Sequence, residues 1–90
     1  MVPMSSSSEH LHPETGARFV FERAHEEPPR YRVRVFLPAE ALLESTLAWE
    51  GERACFDPPL PAGWAADEAT KLARVLHRTP ATRLVRWRGP

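Results

Sequence analysis

The side chains with the most chemical potential in this sequence are guanidinium groups, eleven arginines against a single lysine. They fall into two sets. Arg30, Arg32 and Arg34 alternate with Tyr31, Val33 and Val35. In an extended backbone, alternate residues share one side at a spacing of roughly 7 Å. The three arginines then form a row suited to the carboxylates or phosphates of a partner, because the planar guanidinium fork matches such groups with paired hydrogen bonds. The second set is C-terminal: Lys71, Arg74, Arg78, Arg83, Arg86 and Arg88, with no acid after Glu68. Residues 1–70 hold the other six basic groups and all twelve acids, so a neutral total conceals a charge-segregated chain. Within that set, Arg86-Trp87-Arg88 could hold phosphate oxygens while the indole stacks on a base. Each set also has an ordinary structural role. A strand row is comfortable when acids stand opposite, and basic residues favour a helix C-terminus because the dipole is negative there.

Other chemistry is thinner. His10-x-His12 with Glu14, and His25-Glu26-Glu27, carry metal-compatible side chains. The first two histidines sit in a stretch with nothing to hold them rigid. No cysteine pair or His-Glu-x-x-His spacing accompanies them, so no metal site is expected. Cys55 lies in a strand-like run without a neighbouring base and reads as a small buried thiol; His77 could meet it only through the fold. Glu26-Glu27 and Asp67-Glu68 fall in a turn and a first helical turn, where carboxylates face solvent. Neither a glycine-rich phosphate loop nor Gly-x-Ser-x-Gly occurs. The expectation is therefore no enzyme, no catalytic residue and no cofactor.

Composition sets the outer limits. At 90 residues and 10.2 kDa there is room for one small core. A hydrophobic content of 42% with balanced charge excludes a wholly disordered chain and a histone-like one. No apolar run approaches the roughly 20 residues that span a bilayer, and the first residues lack the pattern of a secretory signal. A lone cysteine makes no internal disulfide, which suits a reducing cytoplasm.

The elements that must position these groups follow from periodicity. Residues 1–16 are polar and broken by prolines and a glycine, and read as a disordered N-terminal tail ahead of a single domain at 17–90. Ala17 to Ala24 and Arg30 to Leu37 alternate as two strands of a hairpin around His25-Glu26-Glu27-Pro28-Pro29. Matching their apolar sides puts Phe21 opposite Val33, Phe19 opposite Val35 and Glu22 opposite Arg32. Residues 38–47 are ambiguous, because Pro38 could open a short helix with Ala39, Leu42, Leu43, Thr46 and Leu47 on one face. A strand over Leu43 to Trp49 is favoured, turning at Glu50-Gly51 into Arg53 to Phe56. Three prolines at 58–61 end that strand. Ala65 to Arg78 forms an amphipathic helix with Ala65, Ala69, Leu72, Ala73 and Leu76 inward, and Thr79-Pro80 stops it. Arg83 to Arg88 closes the chain as a strand, with Val85 and Trp87 on one side and Leu84, Arg86 and Arg88 on the other.

The expected fold is α+β: four to five antiparallel strands in the chain order β-β-β-β-α-β, with one helix packed on one face and the other face wet and polar. Among the tryptophans, Trp87 is the candidate for exposure. The functional expectation is a small cytoplasmic binding module. It would dock a protein partner, or a second copy of itself, through Arg30, Arg32, Arg34, Arg86, Trp87 and Arg88 on the sheet face or at the sheet edge. The alternative is nucleic-acid binding through Lys71, Arg74, Arg78, Arg83, Arg86 and Arg88. No membrane association is expected.

Overall fold

Two strands rich in aromatic and β-branched residues, β1 (Ala17–Glu26) and β2 (Pro29–Phe36), pair antiparallel with Phe21 facing Val33, Phe19 facing Val35 and Glu22 facing Arg32. That is the predicted register. A slip by one residue would turn every buried ring of the hairpin into water, so the apolar pattern alone specifies it. The turn is tighter than expected. Pro29 opens β2 instead of ending the ladder, at the one strand position where a missing N–H is tolerated. An irregularity between Arg23 and His25 bends β1 near this turn. The computed structural model describes residues 12–89.

The ambiguous stretch resolves into strand. β3 (Leu42–Glu50) starts one residue before the predicted limit and pairs with both β2 and β4 (Arg53–Asp57). The helical alternative at 38–47 does not form. Ala39 and Glu40 take φ values of 61° and 63°, a left-handed conformation that no right-handed helix accepts. They make a turn in which the Leu37 N–H donates to the Ala41 carbonyl at 2.9 Å. Leu43, Ser45, Leu47 and Trp49 then share one side of β3, and the buried Ser45 hydroxyl donates to the Pro58 carbonyl at 2.8 Å.

The helix α1 (Trp64–Arg78) buries Ala69, Leu72, Ala73 and Leu76, with Asp67 in its first turn and His77 and Arg78 in its last. It carries the chain across the sheet to β5 (Arg83–Arg88), which pairs antiparallel with β1. The strand order is β4-β3-β2-β1-β5, a four-strand meander extended beyond its first strand. This is the α+β architecture read from periodicity.

The core lies between α1 and one face of the sheet. Phe19, Phe21, Tyr31, Val33, Val35 and Leu47 are fully buried there against the helix residues. The Tyr31 hydroxyl donates to the Ala81 carbonyl at 2.7 Å and ties β2 to the segment leading into β5. Trp64 meets Phe19 edge-on at 6.5 Å, and Trp49 meets Tyr31 at 5.8 Å. Both indoles flank the core. Ahead of β1, the His12 ring packs edge-on against Phe36 at 5.2 Å, and its Nδ1 hydrogen-bonds the Leu37 carbonyl at 2.8 Å. Residues 12–16 of the predicted tail are described, with Gly16 buried, and residues 1–11 lie outside the described residues. Among the described residues no helix is long and apolar enough to cross a membrane.

Candidate functional site

One helix covers one face, so alternation along each strand decides what the other face presents. On β2 it presents Arg32 and Arg34, with Arg30 at the end of the row; on β1, Arg18, Val20 and Glu22; on β5, Arg83, Val85 and Trp87. These three strands thus carry five arginines on the helix-free side against one carboxylate, Glu22. β3 adds Glu44 and Thr46 beside Arg34 and Arg32.

The face is not uniformly wet and polar, which corrects the sequence expectation. Val20 and Phe36 lie on it yet are buried, at 0% and 5% exposure. The cover is made of charged side chains whose stems lie flat on apolar surface. The Arg18 guanidinium sits between two rings, 5.4 Å from the centre of Phe36 and 5.5 Å from that of Trp87, and Arg34 lies over Phe36 at 5.7 Å. Such a stack attracts through the negative faces of the rings. Burial, then the nearby positive charges of Arg83 and Arg34, push the Arg18 pKa down from its ordinary value. A guanidinium starts so high that it stays charged. Trp87 is half exposed at 51%, the exposed tryptophan the sequence pointed to.

Glu22 holds the centre of this face. It accepts from Arg34 Nη2 at 2.8 Å and from Arg83 Nε at 3.3 Å. The expected pair with Arg32 directly across is replaced by a diagonal one, because the long Arg34 side chain reaches the same carboxylate. Arg32 turns instead to Glu44 at 3.5 Å, where both side chains are well exposed and the pair contributes little. Replacing Glu22 with glutamine should leave Arg18, Arg34 and Arg83 to repel one another. Glu22 is 37% exposed, so water screens much of the effect, and the expected loss is about 1 kcal/mol. Added salt should recover most of it by screening the repulsion. Urea unfolding at low and high salt checks this; a loss indifferent to salt would show that charge is not the cause.

The C-terminal basic residues do not converge. Trp87 points to the helix-free face, whereas Arg86 and Arg88 alternate to the helix side of β5, where Arg88 Nε lies 3.5 Å from Glu68 Oε1. The indole and its two flanking guanidiniums are therefore on opposite faces. Arg83 belongs with Glu22. Lys71 pairs with Glu68 at 3.1 Å, and Arg74 and Arg78 line a depression of about 310 Å³ with Glu52 and His77. The Arg30-Arg32-Arg34 row and the Arg86-Arg88 pair likewise sit on different faces.

Cys55 is half-buried on β4 instead of fully buried, with its thiol 3.8 Å from the Arg53 carbonyl oxygen. Register turns it to the helix-free side, while His77 stacks on Trp49 at 5.4 Å on the other, so the two do not meet. Among the described residues no three His, Cys, Asp or Glu side chains cluster as metal ligands; His10 lies outside them. Another depression, about 720 Å³, is an open one beside Arg32, Glu44, Thr46 and Pro58.

Sequence reasoning missed Arg18, Phe36 and the central place of Glu22. The signal for Arg18 was present, since it alternates with Val20 and Glu22 on the side of β1 away from the core. No protein-family model, no curated protein and no solved structure matches this chain.

Proposed function

We propose that this chain is a binding module that docks an acidic protein surface on the helix-free face of its sheet. The observation that carries the reading is the five arginines to one carboxylate on β1, β2 and β5 of that face, with the half-exposed Trp87 stacked on Arg18 and the other acids, Glu44, Glu50 and Asp57, confined to β3 and β4. Arginine and tryptophan are the residue types that concentrate binding energy at protein interfaces. The strands hold them in place before any partner arrives, which lowers the ordering cost of association. Glu22 holds Arg34 and Arg83, while Arg32, Glu44 and Arg30 are exposed enough to exchange partners. A partner carboxylate reaching Arg32 competes only with a weak, solvent-screened pair.

The test compares two charge-matched triple variants in capture of binding proteins: Arg30→Ser/Arg32→Ser/Arg34→Ser on the face, and Lys71→Ser/Arg74→Ser/Arg78→Ser on the helix. Affinity for a captured protein should fall on the order of tenfold or more in the first and stay near wild type in the second. Equal capture by the face variant overturns the reading. Retention of a nucleic acid by the wild type, weakened steeply by salt and lost in the helix variant, overturns it in favour of the C-terminal basic residues.

A further inference from the structure

Alternation along β5 also determines which of its backbone groups are spoken for. The Thr82 carbonyl accepts from the Arg23 N–H at 2.9 Å, so Thr82 points toward β1. Counting on in steps of two, Leu84, Arg86 and Arg88 direct their N–H and C=O groups to β1, and Arg83, Val85 and Trp87 direct theirs away from the sheet. Among the described residues no strand lies on that outer side.

Two of these outward carbonyls are capped by arginine side chains of their own strand. Arg86 Nη1 donates to the Val85 oxygen at 2.8 Å, and Arg88 Nη1 donates to the Trp87 oxygen at 3.0 Å. Charged side chains folded over an open edge are a known means of blocking stray pairing. These caps are exposed and displaceable, because a carboxylate is a stronger acceptor for a guanidinium than a carbonyl is.

We infer that the free edge of β5 is a strand-addition site for an extended partner segment that alternates carboxylate with apolar side chains. The inference rests on the protein-docking reading above and specifies the part of the partner that is held. An added strand pairs with the N–H and C=O groups of Arg83, Val85 and Trp87. Its side chains on the helix side meet Arg86 and Arg88, which calls for carboxylates, the one at Arg88 sharing that guanidinium with Glu68 on its Nε side. Those on the other side meet Val85 and the exposed Trp87, which calls for apolar groups. As carboxylates take the two guanidiniums, the Val85 and Trp87 carbonyls are released to the incoming backbone. A second copy of this chain fits less well, since pairing β5 with β5 gathers Arg83, Arg86 and Arg88 of both copies along one seam.

The test uses the full chain and a synthetic peptide of about eight residues alternating glutamate with valine. Binding should shift and protect the Arg83, Val85 and Trp87 amides and change Trp87 fluorescence. N-methylation of alternate peptide amides should abolish binding in one frame and spare it in the other, since only one set of amides faces β5. Arg86→Gln/Arg88→Gln should weaken binding on the order of tenfold. The inference is overturned if N-methylation in either frame has no effect, or if the shifts fall on Arg30, Arg32 and Arg34 instead of β5. It is also overturned if the β5 amides are already protected in a self-associated wild type. Loss of protein capture in the Arg30/Arg32/Arg34 variant with no peptide bound at β5 overturns the edge site and leaves face docking standing.

Discussion

Phe21→Ala should leave little of the chain folded at physiological temperature. The ring is fully buried on the central part of β1, flanked by Val33 of β2 on one side and Leu84 of β5 on the other. Truncation removes its transfer free energy and leaves a cavity under α1 that the two neighbouring strands cannot close without losing their own pairing. Such changes cost about 3–5 kcal/mol. A domain of this size has a total stability of about 5–10 kcal/mol, so most of the margin goes. Urea unfolding followed by circular dichroism reads the loss as a lower midpoint at unchanged slope. A loss under about 1 kcal/mol would mean that the ring does not fill the space between sheet and helix.

Gly16→Ala should act locally and almost as strongly. Gly16 is buried with φ +76°, and a Cβ there would be driven into the Arg88 carbonyl oxygen, close to Gly89 Cα. Both obstacles are backbone and cannot swing aside like a side-chain tip. Left-handed strain and the collision together are expected to cost about 2–3 kcal/mol. The strain is relieved most cheaply if the end of β5 peels from β1. Amide exchange should therefore rise at Arg86 and Arg88, with a red shift of Trp87 emission, while α1 keeps its protection. Uniform loss of protection across all elements would contradict a hinge at this point.

Local patterning carried most of the architecture. Alternation in Arg30 to Leu37 and in Ala17 to Ala24 specified a register as well as two strands, because the turn between them is short and both faces differ sharply in polarity. The amphipathic stripe from Ala69 to Leu76 did the same for α1. What local pattern does not contain is the neighbour of β5. Docking beside β1 instead of β4 is a choice between two open edges, and it is this choice that brings Arg83 to Glu22 and Trp87 to Arg18. The burial of Phe36 was hidden for the same reason, since its cover comes from Arg18 and His12 on other segments as well as from Arg34 of its own strand. Arg86, Trp87 and Arg88 share an edge strand but not a face, because parity along a strand separates adjacent residues, as the alternation in the sequence already indicated. The turn at Ala39-Glu40 had no signal at all, as neither residue type favours left-handed backbone.

The seam between β1 and β5 joins residues from 61 positions apart, Glu22 and Arg83, to 71 apart, Ala17 and Arg88. The meander hairpins close over short loops and can zip early, within microseconds of one another on the scale of isolated hairpins, roughly 1–10 μs. The outer strand must wait for a long diffusive search before its first contact is rewarded. Folding speed is thus governed by the arrival of the last ribbon, and a rate nearer the slow, all-β end of the range follows from that topology.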